Sequence, residues 1–413
     1  MSHQRIVTSA AFKDKPWWFR TTNQIWKSTY PLSTKINLDK DVLIRKARKQ
    51  TGLQSFGSDF WEEPLDRLLY AIDHEANLHP VGRFITQQRM INLLSVRLRA
   101  EDAFRKNPHI LEQELYPVML ICGLQRTGTT KLQRLLAADP DNRVLYSWEA
   151  LNPVPLSEGP EDIKLRKKAA RLGEKALKLM APGFFTIHPV EFEKPEEDIL
   201  LLDTTFMSTT PEATMHVPSY AAWLEQTDQS PAYAYAVKLL KYLQLQRPAK
   251  RWVLKTPHHM EFLDLAHKHF GDVQYLWTHR DIQQSLPSFL SMLAHGQTIF
   301  SDSVDLERIA AHWVRKTSYM LSKGEQFRAQ YPGAHITDIS FEQLVSAPME
   351  VLQEIYSHHP IADTLRQSFM QMEKTNDRYK FGRHVYRMED FNVDRDALEQ
   401  LVRLQQRIEH NDK

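Results

Sequence analysis

The stretch YPVMLICGLQRTGTTKLQRLLAADP, residues 116–140, reads as a buried strand, a glycine-bearing turn and the first turns of a helix. Residues 118–122 are a short continuous apolar run, the pattern of a parallel strand covered on both faces. Beyond the turn, Leu132, Leu135 and Leu136 recur at helical spacing. Between the two lies GLQRTGTT. Gly123 and Gly128 permit backbone conformations that a Cβ resists, and Thr127, Thr129 and Thr130 bring hydroxyls to a helix N-terminus whose free N–H groups favour an anion. That is phosphate-binding chemistry. Gly123 and Gly128 stand at the spacing of the nucleotide-triphosphatase loop G-x-x-x-x-G-K-[ST], but Thr129 occupies the place of its lysine. The cation is instead Arg126, inside the turn, where its fork of donors can reach a terminal phosphate or sulfate. A glycine turn joining strand to helix with no ligand is the plainer reading of this segment taken alone.

Composition sets the frame around that loop. The chain has 413 residues, 42% of them apolar and 25% charged, which suits a large folded core and argues against wholesale disorder. Its net charge of +2, from 53 basic and 51 acidic residues, gives no global drive toward nucleic acid, so any anion site must be local. The single cysteine, Cys122, falls in the apolar strand, so no intrachain disulfide is possible and a reducing compartment is the simpler assumption. Neither a leader-like apolar segment nor a run of about 18 apolar residues occurs. The expectation is a soluble, cytoplasmic protein.

Along the chain, residues 13–33 hold Trp17, Trp18, Phe19, Trp26 and Tyr30 among polar neighbours. These aromatics suit core packing first, and second a surface touching lipid or an apolar substrate. Apolar positions such as Leu65, Leu68, Leu69 and Ile72, then Ile91, Leu94 and Leu98, suit amphipathic helices, so residues 1–112 are expected to form a helical N-terminal layer. A second short strand is expected at 143–146. Residues of about 157–250 lack strand alternation and are expected to form a helical cap over the sheet, where an acceptor would be selected. Within it, 163–180 is a helix with seven basic residues (Lys164, Arg166, Lys167, Lys168, Arg171, Lys175 and Lys178) against Glu174, read as a solvated face or as a lip that attracts anions. Strands return at 252–254, 273–278 and 335–339, separated by helix-length segments. The fold class that follows is α/β: a P-loop-like parallel sheet flanked by helices, with residues 113–413 as one domain bearing the cap.

Two further strand ends carry chemistry. In WTHRDIQQSLPSFL, residues 277–290, Arg280 stands at the strand edge where ligands bind in open α/β sheets, and Ser288 lies on the helix that follows. Together they can hold one anion from two sides. In RWVLKTPHHMEF, residues 251–262, Lys255 is poised to neutralise charge on a leaving phosphate, and an adjacent histidine can take a proton from an alcohol. Thr256 and Pro257 also read simply as a helix start. Late in the chain, KFGRHVYRMEDFNVD, residues 380–394, offers Lys380, Gly382, Arg383 and His384 on a loop.

In order, GLQRTGTT, Trp148-Glu149, Pro195-Glu196-Glu197-Asp198, Leu254 to His259, His279-Arg280-Asp281 with its later serine, FEQLV and HVYRMEDF resemble the bacterial branch of the sulfotransferase family, from about residue 40 onward. Gln125, Lys131 and Ile282 depart from that pattern, and none of them is itself a proposed anion ligand. The resemblance implies an enzyme that moves a sulfuryl group from 3′-phosphoadenosine 5′-phosphosulfate (PAPS) to a hydroxyl, or second an amine, of a small acceptor; the aromatic N-terminus and apolar cap suit a hydrophobic one. It implies that Arg126, Thr127, Gly128, Thr129 and Thr130 hold the 5′-phosphosulfate, and that Arg280 and Ser288 hold the 3′-phosphate with help from Gly382 and Arg383. Lys255 is then the group on the bridging oxygen. For the base, Glu149 and His259 rank together, with His258 and Glu197 behind; enclosure is expected to raise the Glu149 pKa. No metal and no nucleic acid is called for, and a peripheral membrane contact stays open. The competing readings are a kinase or triphosphatase using the same loop and a non-catalytic nucleotide-binding module.

Overall fold

Five parallel strands form the central sheet of the computed structural model, which describes residues 6–29, 36–356, 361–375 and 380–410. Numbering all strands in chain order, β1 is Ile6–Thr8, β2 Val118–Gly123, β3 Asn142–Val144, β4 Arg251–Lys255, β5 Val273–His279, β6 His335–Ser340 and β7 Arg383–Val385. The sheet order is β3-β4-β2-β5-β6, with β2 at the centre. Its register pairs Val118 with both Trp252 and Val273, so the C-terminal ends of β2, β4 and β5 lie side by side. The chain turns from one side of β2 to the other between β4 and β5, which makes those three ends the switch point where α/β sheets bind ligands.

Alternation along β2 splits the interior in two. Leu120 and Cys122 join one core with Trp252, Tyr275 and Trp277, whereas Met119 and Ile121 join another with Leu132, Leu136, Val253 and Leu276. The first core runs without a break into the helices Lys40–Thr51, Glu62–His74 and Pro80–Lys106 through Leu43, Leu65 and Leu94. The N-terminal layer is therefore packed on the sheet. Of its aromatics, Phe19 is buried, Trp17 is exposed, and Tyr30 lies outside the described residues.

Between β3 and β4 every described element is helical, as the lack of alternation suggests. The basic helix spans Asp162–Met180. Arg166 departs from the expected solvated face: it is buried, donating to the Asn152 carbonyl at 2.7 Å and to Gln246 at 2.7 Å. The late segment is also corrected. Arg383–Val385 is a strand, paired in parallel with Ile6–Thr8, because a three-residue edge pair leaves too short a pattern to read. No helix among the described residues is long and apolar enough to cross a membrane.

Candidate active site

The turn after β2 is locked from beneath. Gly123 has φ +137°, and a Cβ there would meet the Thr278 hydroxyl at 2.5 Å, so only glycine lets β2 and β5 close at this point. Thr127 is buried. Its hydroxyl lies 2.6 Å from the Leu124 carbonyl and 2.7 Å from the Thr278 hydroxyl, which ties the turn to β5 and turns that side chain away from the cleft. Arg126 sits in the left-handed region at φ +68°, as does Gly128 at φ +96°. The helix Thr129–Leu136 then begins with no side-chain cap, leaving its first amides to an external acceptor.

The β5 end closes on this turn. Arg280 donates from Nη1 to the Arg126 carbonyl at 3.0 Å, stacks over Phe341 at 4.1 Å, and keeps a buried Nε without a partner. Ser288, on the helix Ile282–Gln297, accepts from Arg126 Nε at 3.1 Å and retains its own hydroxyl proton to give. Arg280 and Ser288 thus meet through Arg126 rather than directly. The C-terminal helix Arg395–His410 braces the segment: Gln405 donates to the Arg280 carbonyl at 2.7 Å and accepts from the Ile282 amide at 3.1 Å. Nothing in the sequence around Gln405 announces that contact.

At the β4 end, Lys255 is 3% exposed and its Nζ lies 2.6 Å from Glu197, whose other oxygen accepts from Thr256 at 3.2 Å. Asp198 accepts the Lys255 amide at 2.8 Å and pairs with His259 Nε2 at 2.8 Å, while Tyr233 lies 2.7 Å from His259 Nδ1. Both ring nitrogens of His259 are therefore taken, and the ring is fully buried. His258 is buried too, against Phe262, and burial lowers its pKa well below the ordinary value.

Glu149 stands apart from these strand ends. Arg143 grips its oxygens at 2.9 and 2.8 Å, Arg247 adds a bond at 3.0 Å, and the Tyr146 amide donates at 3.1 Å. Burial alone pushes this carboxyl up, but the two guanidiniums outweigh it and hold the pKa below the ordinary range. The expected rise is reversed, because the partners of Glu149 are cations rather than apolar walls.

The cleft over the strand ends has a volume of about 650 Å³. Arg126, Gly128, Thr129, Thr130, Lys255, Arg280, Ser288, Gly382 and Arg383 all line it; Thr127, Glu149 and His259 do not, nor does any residue of the helix Asp162–Met180. Four more cations reach it, three of them paired with a carboxylate: Lys131 with Glu373, Arg134 with Glu191 at 3.5 Å, and Lys380 with Glu191 at 2.6 Å; Lys194 is the fourth. Sequence reasoning also passed over the lining groups able to take a proton. His188 is one: burial and the charges of Lys255, Arg126 and Arg134, against the opposing Glu197, lower its pKa to about 4, so the ring is neutral at physiological pH. Glu196 is another, raised by burial more than Lys255 lowers it. Glu196 sits in the acidic run that sequence reading noticed, but His188 has no strand end or motif spacing to mark it.

With this geometry in view, the chain belongs to the sulfotransferase family, whose sequence profile matches residues 117–364. Sulfotransferase STF1 from Mycobacterium tuberculosis H37Rv is similar at 28% identity and TM-score 0.77, over 88% of this chain and 98% of that one. Sulfotransferase STF9 from Mycobacterium avium shares the fold at 21% identity and TM-score 0.78, over 88% of this chain and 95% of that one. No curated protein matches the sequence. The protein is a sulfotransferase enzyme of α/β fold.

Proposed function

We propose that the enzyme takes its sulfuryl group from PAPS and delivers it to a hydroxyl of a hydrophobic small molecule. The observation that carries this reading is the chain of contacts from Ser288 through Arg126 to Arg280, which ends on a buried guanidinium nitrogen with no partner. An unsatisfied charged donor of that kind costs free energy unless an anion completes it. PAPS supplies an activated sulfate at one end and a 3′-phosphate at the other. Arg126 and the amides of residues 128–130 would hold the sulfate end, and Arg280 with Ser288 the 3′-phosphate, flanked by Gly382 and Arg383. Thr127 serves by fixing the turn. The cap, about 157–250, would wall the cleft of a catalytic unit spanning 113–413, which the N-terminal layer, residues 1–112, would brace without lining the cleft. A cytoplasmic setting suits the single buried cysteine.

In-line transfer asks for position and charge neutralisation more than covalent help. Lys255 would meet the negative charge that builds on the bridging oxygen, with Glu197 holding its ammonium in place and Asp198, held by His259 and Tyr233, fixing its backbone. The proton of the acceptor hydroxyl would go to His188. Its ring is neutral, lines the cleft beside Lys255, and has no hydrogen bond to another described residue. An anionic donor beside it would draw its pKa back up toward the ordinary histidine value, closer to working pH. Phe381, Ile187, Pro189 and Val385 give the remaining lining an apolar character suited to a hydrophobic acceptor.

Isothermal calorimetry tests the donor. Adenosine 3′,5′-bisphosphate is expected to bind far more tightly than AMP or ATP, since only it fills the Arg280 site. Equal affinity for AMP removes the PAPS reading, and Mg²⁺-dependent ATP binding would favour a kinase. For the base, His188→Ala is expected to lower kcat about a hundredfold or more with bisphosphate affinity kept. Should Glu196→Gln cost the larger factor, the role passes to Glu196.

A further inference from the structure

The helix Asp162–Met180 buries Arg166 and Ala170 against the cap and turns its opposite face to solvent. On that outer face stand Leu165, Leu172 and Leu179, exposed by 41, 58 and 65%. They recur every seven residues, two helical turns, so they form one row pointing away from the core. Single exposed leucines are ordinary, but a straight row opposite a buried face is not explained by the packing of this chain. Lys168 lies beside Leu165 and Leu172, and Lys175 beside Leu172 and Leu179, by their three- and four-residue offsets; Arg171 adds a further cation on the same flank. The neighbouring acids are engaged elsewhere: Glu161 with Lys164, Glu174 with Lys178 and Glu193 with Lys167. Lys168, Arg171 and Lys175 form no ion pair with any described residue.

We propose that this face docks the enzyme on the surface of an anionic lipid bilayer. Leucines pointing outward with a row of cations along one flank fit a helix lying in the interface plane, its apolar side chains among the acyl chains and its cationic groups at the lipid phosphates. A second copy of the chain fits poorly, since mating two such rows would set Lys168 and Lys175 against cations of the same kind. The helix also ends at the cleft. Lys178 packs over Phe185 at 4.6 Å and over Phe381 at 5.4 Å, and Phe381 lines the cleft together with Thr186 and Ile187 of the next helix, Pro182–Ile187. Docking would bring the cleft rim close to the bilayer surface. The proposal is independent of the donor and acceptor assignments, because none of the docking residues lines the cleft.

Co-sedimentation with vesicles tests it, comparing equimolar phosphatidylcholine and phosphatidylglycerol with phosphatidylcholine alone. The full chain is expected to partition at least about tenfold better onto the anionic vesicles, with the excess falling as salt rises. Two triple variants, Leu165→Ser/Leu172→Ser/Leu179→Ser and Lys168→Glu/Arg171→Glu/Lys175→Glu, should each lose about tenfold or more of that partition while keeping the circular dichroism and bisphosphate affinity of the parent. The proposal is overturned if the parent ignores anionic vesicles at low salt, or if the leucine variant binds them as well as the parent. It is equally overturned if sedimentation equilibrium finds a parent dimer that the leucine variant dissociates, which would make the row an interface between copies.

Discussion

Two carboxylate–cation pairs, Arg143 with Glu149 and Lys255 with Glu197, stand beside neighbouring strands of one sheet and have opposite uses. In the first, both side chains are sealed, at 0 and 2% exposure, and a second guanidinium from Arg247 completes the cage. In the second, Lys255 is nearly buried but lines the cleft, and Glu197 is 22% exposed. A buried carboxylate held by the sealed Arg143 and the partly exposed Arg247 cannot accept a proton without stranding the Arg143 charge inside the protein, which fits a structural role. A cation that opens on a cleft can meet charge appearing outside the protein, which is the role we propose for Lys255. The residue types are nearly the same; access separates them.

The sharpest way to break this comparison is Glu149→Ala. Leaving Arg143 buried and uncompensated should cost roughly 3–5 kcal/mol of stability, read as a lower midpoint in urea unfolding. Activity per folded molecule should stay near that of the parent. A stable but inactive variant would return Glu149 to the chemistry and erase the distinction drawn here.

Next in size is Lys255→Met, expected to slow turnover by about 10²–10³-fold, the usual loss when one donor to a developing charge is removed. Single-turnover kinetics would read the loss, and bisphosphate affinity should change little. If affinity collapses while the single-turnover rate at saturation survives, Lys255 is a binding residue only.

Smallest is Arg280→Ala, which removes a charge-assisted bond of about 1.5–3 kcal/mol and hence roughly ten- to a hundredfold in bisphosphate affinity. AMP affinity should hardly move, because AMP has no 3′-phosphate to lose. Parallel losses for both nucleotides would show that Arg280 acts through the Arg126 carbonyl it supports rather than on a phosphate.

What the sequence disclosed and what it hid follow the range of the interactions. The strand at β2, the R-T-G-T-T turn and Arg280 after β5 are local patterns, each contained in a few consecutive residues. The cap showed itself by missing alternation. Glu149 was misjudged because Arg247, one of its two cations, stands far along the chain and reaches it only through folding. The partners of His259 were hidden for the same reason, since Asp198 and Tyr233 approach from elsewhere in the chain. His188 and Gln405 belong to no repeating pattern, and β1 and β7 are each too short to carry one.

The pairing of β1 with β7 has a bearing on how the enzyme is made. Ile6 and Arg383 are partners, so the earlier strand must wait for one that is made several hundred residues later. At ordinary rates of synthesis that interval is roughly 20–80 s. Gly382 and Arg383, which wall the cleft, can settle into place only after it has passed. Nascent chains stalled before residue 383 should therefore bind adenosine 3′,5′-bisphosphate poorly even with the central sheet complete, and gain affinity when the remaining residues emerge. Strong binding by the stalled chains would mean that the wall is dispensable. If the wall is needed, competence for the donor arrives with residues 382–385, a timing device written into the edge of the molecule rather than into its core.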